Sequence, residues 1–533
     1  MKKLGDLVYL YDTTLRDGTQ GEGVSLTVED KLKITAKLDE LGVHYIEGGW
    51  PGSNPKDLEY FQRVKELSLK QAKISAFGST RRPEIVVEDD MNIKAFLEAD
   101  TPVVTIFGKS WDFHVTKALN TTLEENINMI RESVQFLKAQ EREVVYDAEH
   151  FFDGYKANPG YALATLKAAS KAGADWIVLC DTNGGALPNE IEKVLERLQE
   201  EIDTPLGIHV HNDGELAVAN SLAAVEAGAR QVQGTINGFG ERCGNANICS
   251  LLPNLQLKMG MRCLSSESLK RLTEVSRYVS EIANMTPLNS QPFVGSSAFT
   301  HKGGIHVSAI IKDPATYEHM DPGIVGNSRR VLVSELAGSS NIRYKAQELG
   351  LDLMKDVEST RRLSSEIKEM EYRGYQFEGA DASLELLLRR GLGQYEEFFI
   401  LESLKIFIEK QPANGGGIES INSEAMIKLR VGDQVMHTAA EGDGPVNALD
   451  NALKKALEQF YPYIQEMHLV DYKVRVLDGK DGTSAKVRVL IESADASETW
   501  STVGVSENII EASWQALTDS MNYFLLRRSK CNS

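Results

Sequence analysis

His209 and His211 lie two residues apart, at the end of the run Gly207–Val210 and just past it. Such a run predicts a strand, and side chains along a strand alternate faces, so both imidazoles point to one side. A packed, hydrogen-bonded pair and a metal-binding pair are both open for His-x-His alone. Asp17 ends the first predicted strand of the same kind, and Asn245 lies just past the last. Two imidazoles, a carboxylate and an amide oxygen form a mixed N/O set that suits Zn²⁺, Mn²⁺ or Co²⁺ and accepts Mg²⁺. No thiolate is needed, and Cys243 reads as a small packed residue rather than a ligand. Arg16 precedes Asp17; a permanent guanidinium charge beside the metal would stabilise a developing enolate or alkoxide. A local Arg16–Asp17 salt bridge is the plainer reading of that pair alone. Glu149 ends another run and is the candidate proton acceptor, with a surface carboxylate as the competing reading.

The elements that must position these groups repeat regularly. Short β-branched runs occur at Leu7–Leu10, Tyr45–Ile46, Lys73–Phe77, Val103–Phe107, Val144–Tyr146, Trp176–Leu179, Gly207–Val210 and Gln231–Ile236. Amphipathic stretches such as Thr27–Leu41, Leu123–Ala139 and Glu215–Ala227 lie between them. Eight strand–helix pairs over about 250 residues predict a (β/α)8 TIM barrel, here residues 1–260. A doubly wound open sheet is the alternative, but the turn Asp12–Gln20 holds one glycine and no phosphate fingerprint. In a closed barrel strand one pairs with strand eight, which places Asp17 one strand from His209. Ionisable groups crowd the strand ends, where the loops of such a barrel converge on the active site.

Residues 261–390 read as a mainly helical linker subdomain, with a glycine-rich insert at His301–His306. Residues 391–533 read as an α+β domain of two βββα units. Thr438–Leu453 aligns without gaps on Thr502–Leu517, and three predicted strands precede each segment. A small duplicated module appended to a barrel suggests ligand sensing, with a dimerisation unit as the alternative. The turns at Gly442-Asp-Gly444 and Val503-Gly-Val-Ser506 would each open a helix, whose free N–H groups can hold a carboxylate.

The whole chain bounds the rest. At 533 residues it exceeds one compact core. Lys and Arg number 58 against 77 Asp and Glu, a net charge of −19 that disfavours nucleic acid or an anionic membrane as partner. No apolar run reaches the roughly 20 residues of a bilayer span, and the first residues lack a signal-peptide core. Five scattered cysteines read as reduced thiols, so a cytoplasmic enzyme is expected.

Three segments carry a resemblance: Leu10-Tyr-Asp-Thr-Thr-Leu-Arg-Asp-Gly-Thr-Gln20, His209-Val-His-Asn-Asp213 and Asn237-Gly-Phe-Gly-Glu-Arg-Cys-Gly-Asn245. They resemble the signatures of the metal-dependent acyl-CoA condensing enzymes, the 2-isopropylmalate, homocitrate and citramalate synthase family. The likeness continues through His301–His306, Asp313–Glu318 and the C-terminal module. It implies Asp17, His209, His211 and Asn245 as metal ligands, Arg16 and Glu149 as catalytic groups, and Thr182 on the keto-acid carboxylate. It also implies that His306 and Tyr317 are catalytic groups reaching in from the linker subdomain, across a homodimer. Asp147-Ala-Glu-His-Phe-Phe-Asp-Gly-Tyr155 and Glu47-Gly-Gly-Trp-Pro-Gly-Ser-Asn-Pro55 depart from the isopropylmalate and homocitrate patterns. Both are similar to the citramalate branch, which implies an acyltransferase joining acetyl-CoA to pyruvate, with isoleucine as the amino-acid effector and leucine as the alternative. An isopropylmalate-type acceptor and a metal-dependent C–C lyase on the same barrel remain the alternative activities.

Overall fold

The computed structural model describes residues 6–334, 338–351, 353, 357–411, 420–477 and 485–531, and the chain divides into two compact units. Unit one comprises residues 1–299 and 320–328; unit two comprises 300–319 and 329–533. Among the described residues no helix is long and apolar enough to cross a membrane.

Eight parallel strands close a barrel in unit one: β1 Tyr9–Asp12, β2 Tyr45–Gly49, β3 Lys73–Ser79, β4 Val103–Lys109, β5 Glu143–Glu149, β6 Trp176–Asp181, β7 Leu206–Val210 and β8 Gln231–Gly234. The seam pairs Tyr9 with Gln231 and Asp12 with Gly234. Strands covered by helices outside and side chains inside are apolar on both faces. Ile177, Val178 and Leu179 are accordingly consecutive and fully buried.

The covering helices begin and end where local chemistry requires. In the helix Val28–Leu41 the Thr27 hydroxyl accepts from the Asp30 N–H, while Asp30 accepts from the Thr27 N–H. Gly42 ends it at φ +98, in the left-handed region that glycine enters without cost. Leu32, Ile34, Leu38 and Leu41 of this helix pack into the shell between helices and strands. Each such burial contributes roughly 1.5–3 kcal/mol, and truncating one to alanine costs about 2–5 kcal/mol because a cavity remains.

Unit two begins with helices, among them Gly304–Lys312, Val357–Tyr372 and Asp381–Gly391. Antiparallel strands Ile400–Gln411, Ser420–Val431 and Gln434–Gly442 then precede the helix Pro445–Leu457. Strands His468–Val476, Val487–Ala494 and Thr499–Ser506 precede the helix Ile509–Cys531 in the same order. The duplicated βββα reading holds, and Ile427, Leu453, Ile491 and Leu517 from both halves share one core.

One predicted turn does not hold. Val503–Ser506 is strand, and the chain bends only at Glu507 and Asn508. Gly504 sits in that strand because the following helix crosses it closely; a Cβ there would overlap the Ala512 carbonyl. Gly444, by contrast, does lie in the turn that opens the helix Pro445–Leu457.

Candidate active site

The rim at the C-terminal ends of the strands carries a buried polar cluster. Asp17 is five residues past β1 rather than at its end. The Asp12 carboxylate accepts from the Thr14 N–H and hydroxyl, both at 2.9 Å, and turns the chain out of the strand. The turn returns Asp17 over the mouth, just before the 3-10 turn Gly18–Gln20. His209 lies on β7 and His211 just after it. His209 Nε2 stands 3.3 Å from Asp17 Oδ2 and 3.3 Å from His211 Nε2.

Asn245 is drawn alongside by a backbone bridge to His211. Its Nδ2 donates to the Phe239 carbonyl at 3.1 Å, which leaves Oδ1 free. Gly240, at φ +153, makes room for it, since a Cβ there would overlap the Asn245 amide. Cys243 is exposed rather than packed, because it rides the outer side of this same loop.

The electrostatics suit a cation. Burial pushes the His209 imidazole below its ordinary value and His211 down to about 4, so both rings are neutral at neutral pH. Burial acts to raise the Asp17 carboxyl, but the neighbouring charges, Arg16 foremost, outweigh it and keep it ionised. Asp17 Oδ1 and Asn245 Oδ1 are buried without a hydrogen-bond partner. Buried polar atoms are almost always satisfied. Lone pairs left over beside two neutral imidazoles therefore fit a divalent ion with N/O preference, and Asp17, His209 and His211 offer donor atoms within 4.8 Å of one another.

Arg16 lies beside this cluster and is held on three sides. Its Nε donates to Glu47 Oε1 at 2.6 Å, its Nη2 is 3.6 Å from Asp17 Oδ2, and its guanidinium sits 3.7 Å over the Phe77 ring. Glu47 is fully buried and also accepts from the Tyr11 hydroxyl at 2.7 Å. The Arg16–Asp17 salt bridge thus exists, but the stronger partner is Glu47.

A cavity of about 240 Å³ opens above these groups. Trp50, Phe77 and Phe107 wall one side, with Phe77 and Phe107 stacked at 5.4 Å and Trp50 edge-on to both. Glu149 ends β5, lines the cavity and is ion-paired with Lys109. The Thr182 hydroxyl accepts from the His150 N–H at 2.9 Å, so its own proton is free to be donated into the cavity.

The structure therefore brings Arg16, Asp17, Glu149, Thr182, His209, His211 and Asn245 to one rim. His306 and Tyr317 belong to unit two, where their rings stack at 4.2 Å and Tyr317 is half exposed. Sequence reasoning missed Glu47, Asp147 and Gln233 as site groups. Gln231 and Gln233, alternating polar residues on an otherwise apolar β8, were the available signal for an inward-facing polar layer.

Comparison with known proteins agrees with this geometry. Residues 7–279 match the HMGL-like family, 293–374 the homocitrate synthase post-HMGL domain-like family, and 378–525 the LeuA allosteric (dimerisation) domain. The chain is 57% identical to an (R)-citramalate synthase of Geobacter sulfurreducens, over 97% of this chain and 98% of the relative. It is 55% identical to an (R)-citramalate synthase of Aquifex aeolicus, over 98% and 99% respectively. A 2-isopropylmalate synthase of Methanocaldococcus jannaschii is 31% identical, over 98% and 96%.

Proposed function

The chain belongs to the family of the (R)-citramalate and 2-isopropylmalate synthases, and from that premise we infer that it condenses acetyl-CoA with pyruvate to (R)-citramalate and CoA. The observation that carries the acceptor is the gap between 57% identity to a citramalate synthase and 31% to a 2-isopropylmalate synthase, each over nearly the whole chain.

In this reading Asp17, His209, His211 and Asn245 hold a divalent cation, which when bound supplies Lewis-acid polarisation of the 2-keto acid carbonyl. Arg16, preset by Glu47 and Phe77, faces the oxygen on which negative charge develops and needs no reorganisation when it does so. The Thr182 hydroxyl donates to the acceptor's carboxylate. Trp50, Phe77 and Phe107 meet its methyl group and keep water from that side of the cavity. Glu149, oriented by Lys109, removes a proton from the acetyl methyl group. Carbon–carbon bond formation follows, and hydrolysis of the thioester releases CoA and makes the condensation irreversible. From unit two we assign His306 and Tyr317 to proton handling at the acetyl group.

We read residues 1–260 as the catalytic domain, 261–390 as the linker and 391–533 as a regulatory domain of a cytoplasmic homodimer in isoleucine biosynthesis. The family match of residues 378–525 to an allosteric (dimerisation) domain supports this assignment. Isoleucine is the effector we assign to that domain. The reaction is tested by following thiol release from acetyl-CoA against pyruvate, 2-oxobutyrate, 2-oxoisovalerate and 2-oxoglutarate. The highest kcat/KM belongs to pyruvate; a preference for 2-oxoisovalerate moves the chain to the isopropylmalate branch.

A further inference from the structure

Behind the imidazole pair lies a buried polar chain that no step above uses. His209 Nδ1 is 3.0 Å from Gln233 Oε1. Gln233 Nε2 is 3.1 Å from Asp147 Oδ1 and 3.5 Å from Gln231 Oε1. All four side chains are buried, and they come from β5, β7 and β8.

The donors and acceptors along this chain are not interchangeable. Gln233 Nε2 points at the Asp147 and Gln231 oxygens and its carbonyl oxygen faces His209; burial raises the Asp147 carboxyl, whose carbonyl oxygen still accepts from the amide when it is protonated. An amide oxygen only accepts. The nitrogen 3.0 Å from it must therefore carry the proton, since two lone pairs would otherwise face each other across that gap. A neutral imidazole has one N–H. With the proton on Nδ1, the lone pair lies on Nε2, directed at Asp17 and His211. The opposite tautomer would aim an N–H at the place where a cation must sit.

We propose that Gln233 is a positioning residue that locks His209 in its Nδ1–H tautomer, and that Asp147 acts through it by fixing which way the amide points. This rests on the reading of Asp17, His209 and His211 as a cation site. The orientation is specified from across the barrel: Asp147 lies 86 positions from Gln233 in the chain and also lines the cavity itself.

The relay predicts a polarity swap. Gln233→Met keeps the length of the side chain but removes both donor and acceptor. Partners behind a ligating histidine are worth about 10–100-fold in metal affinity, and that is the weakening expected for Co²⁺, measured by competition with a chromophoric chelator. In the double variant Asp147→Asn with Gln233→Glu, the new amide donates to the new carboxylate, whose second oxygen still accepts from His209. Co²⁺ affinity should return to within about threefold of the unaltered protein. Nitrogen-15 spectra of the unaltered metal-free protein should place the His209 proton on Nδ1.

A His209 protonated on Nε2 overturns the proposal without any variant, as does a Gln233→Met protein that binds Co²⁺ as tightly as the original. If Gln233→Met does not fold, the double variant decides: its failure to bind Co²⁺ contradicts the relay. Tight Co²⁺ binding through the relay by an enzyme that prefers a different acceptor supports the relay while refuting the acceptor assignment.

Discussion

The Nε2 nitrogens of His209 and His211 lie 3.3 Å apart in a pocket where both rings are buried and neutral. With the unpartnered Asp17 Oδ1 beside them, these nitrogens form a donor set that a divalent cation completes. Chelation should abolish turnover. His209→Ala should lower affinity for the divalent ion at least 100-fold while the far-ultraviolet circular dichroism is unchanged. Full activity of metal-free protein would refute the site.

Arg16 is gripped by Glu47 Oε1 at 2.6 Å and its guanidinium lies 3.7 Å over the Phe77 ring. Lysine cannot reproduce a planar stacked fork. Arg16→Lys should reduce kcat about 100–1,000-fold, the cost of losing a preset donor to a developing anion, with a smaller change in the KM for pyruvate. A loss below about threefold would remove Arg16 from the reaction.

In the proposed reaction the aromatic wall limits acceptor size. Phe107 packs against Phe77 and Trp50, so Phe107→Ala opens space beside the methyl group. One methylene in such a pocket is worth about 1–3 kcal/mol. The kcat/KM ratio of 2-oxobutyrate to pyruvate should therefore rise by roughly 10-fold or more. An unchanged ratio would place the acceptor's side chain elsewhere.

His44 ties β1 to the loop before β2, its Nδ1 accepting from the Leu10 N–H at 3.0 Å. Burial lowers its folded value from 6.5 to about 4. A depressed folded value means that the contribution is complete above pH 6.5 and is lost as pH falls toward about 4. The total is on the order of 3 kcal/mol. Urea unfolding at pH 7 and pH 5 should show a steeper loss for the unaltered protein than for His44→Gln, by close to one proton. Parallel curves would show that His44 is not the group responsible.

Isoleucine at millimolar concentration should inhibit the full-length enzyme, and removal of residues beyond about 395 should abolish that inhibition. A full-length enzyme indifferent to both isoleucine and leucine would leave residues 391–533 as an assembly device.

The barrel was legible because its strands announce themselves as apolar runs between amphipathic helices. The meeting of His209 and His211 was legible because His-x-His at a strand end puts both side chains on one face. Asp17 was misplaced because nothing in the linear order says that the Asp12 side chain caps Thr14 and ends β1 early. Glu47, Asp147 and Gln233 stayed hidden for a different reason. Their roles depend on partners 31, 86 and 24 residues away across the barrel interior, a pairing only the closed sheet creates. Gly504 looks like a turn residue in the sequence, yet its small size serves a helix crossing.

Incubating the enzyme with methyl-¹³C acetyl-CoA and pyruvate and following the labelled carbon by NMR tests the condensation itself. The label should appear in the new methylene of citramalate, of the R configuration on a chiral column, with one CoA released for each molecule formed. CoA released without a labelled carbon–carbon bond, or label incorporated only when 2-oxoisovalerate replaces pyruvate, would contradict it.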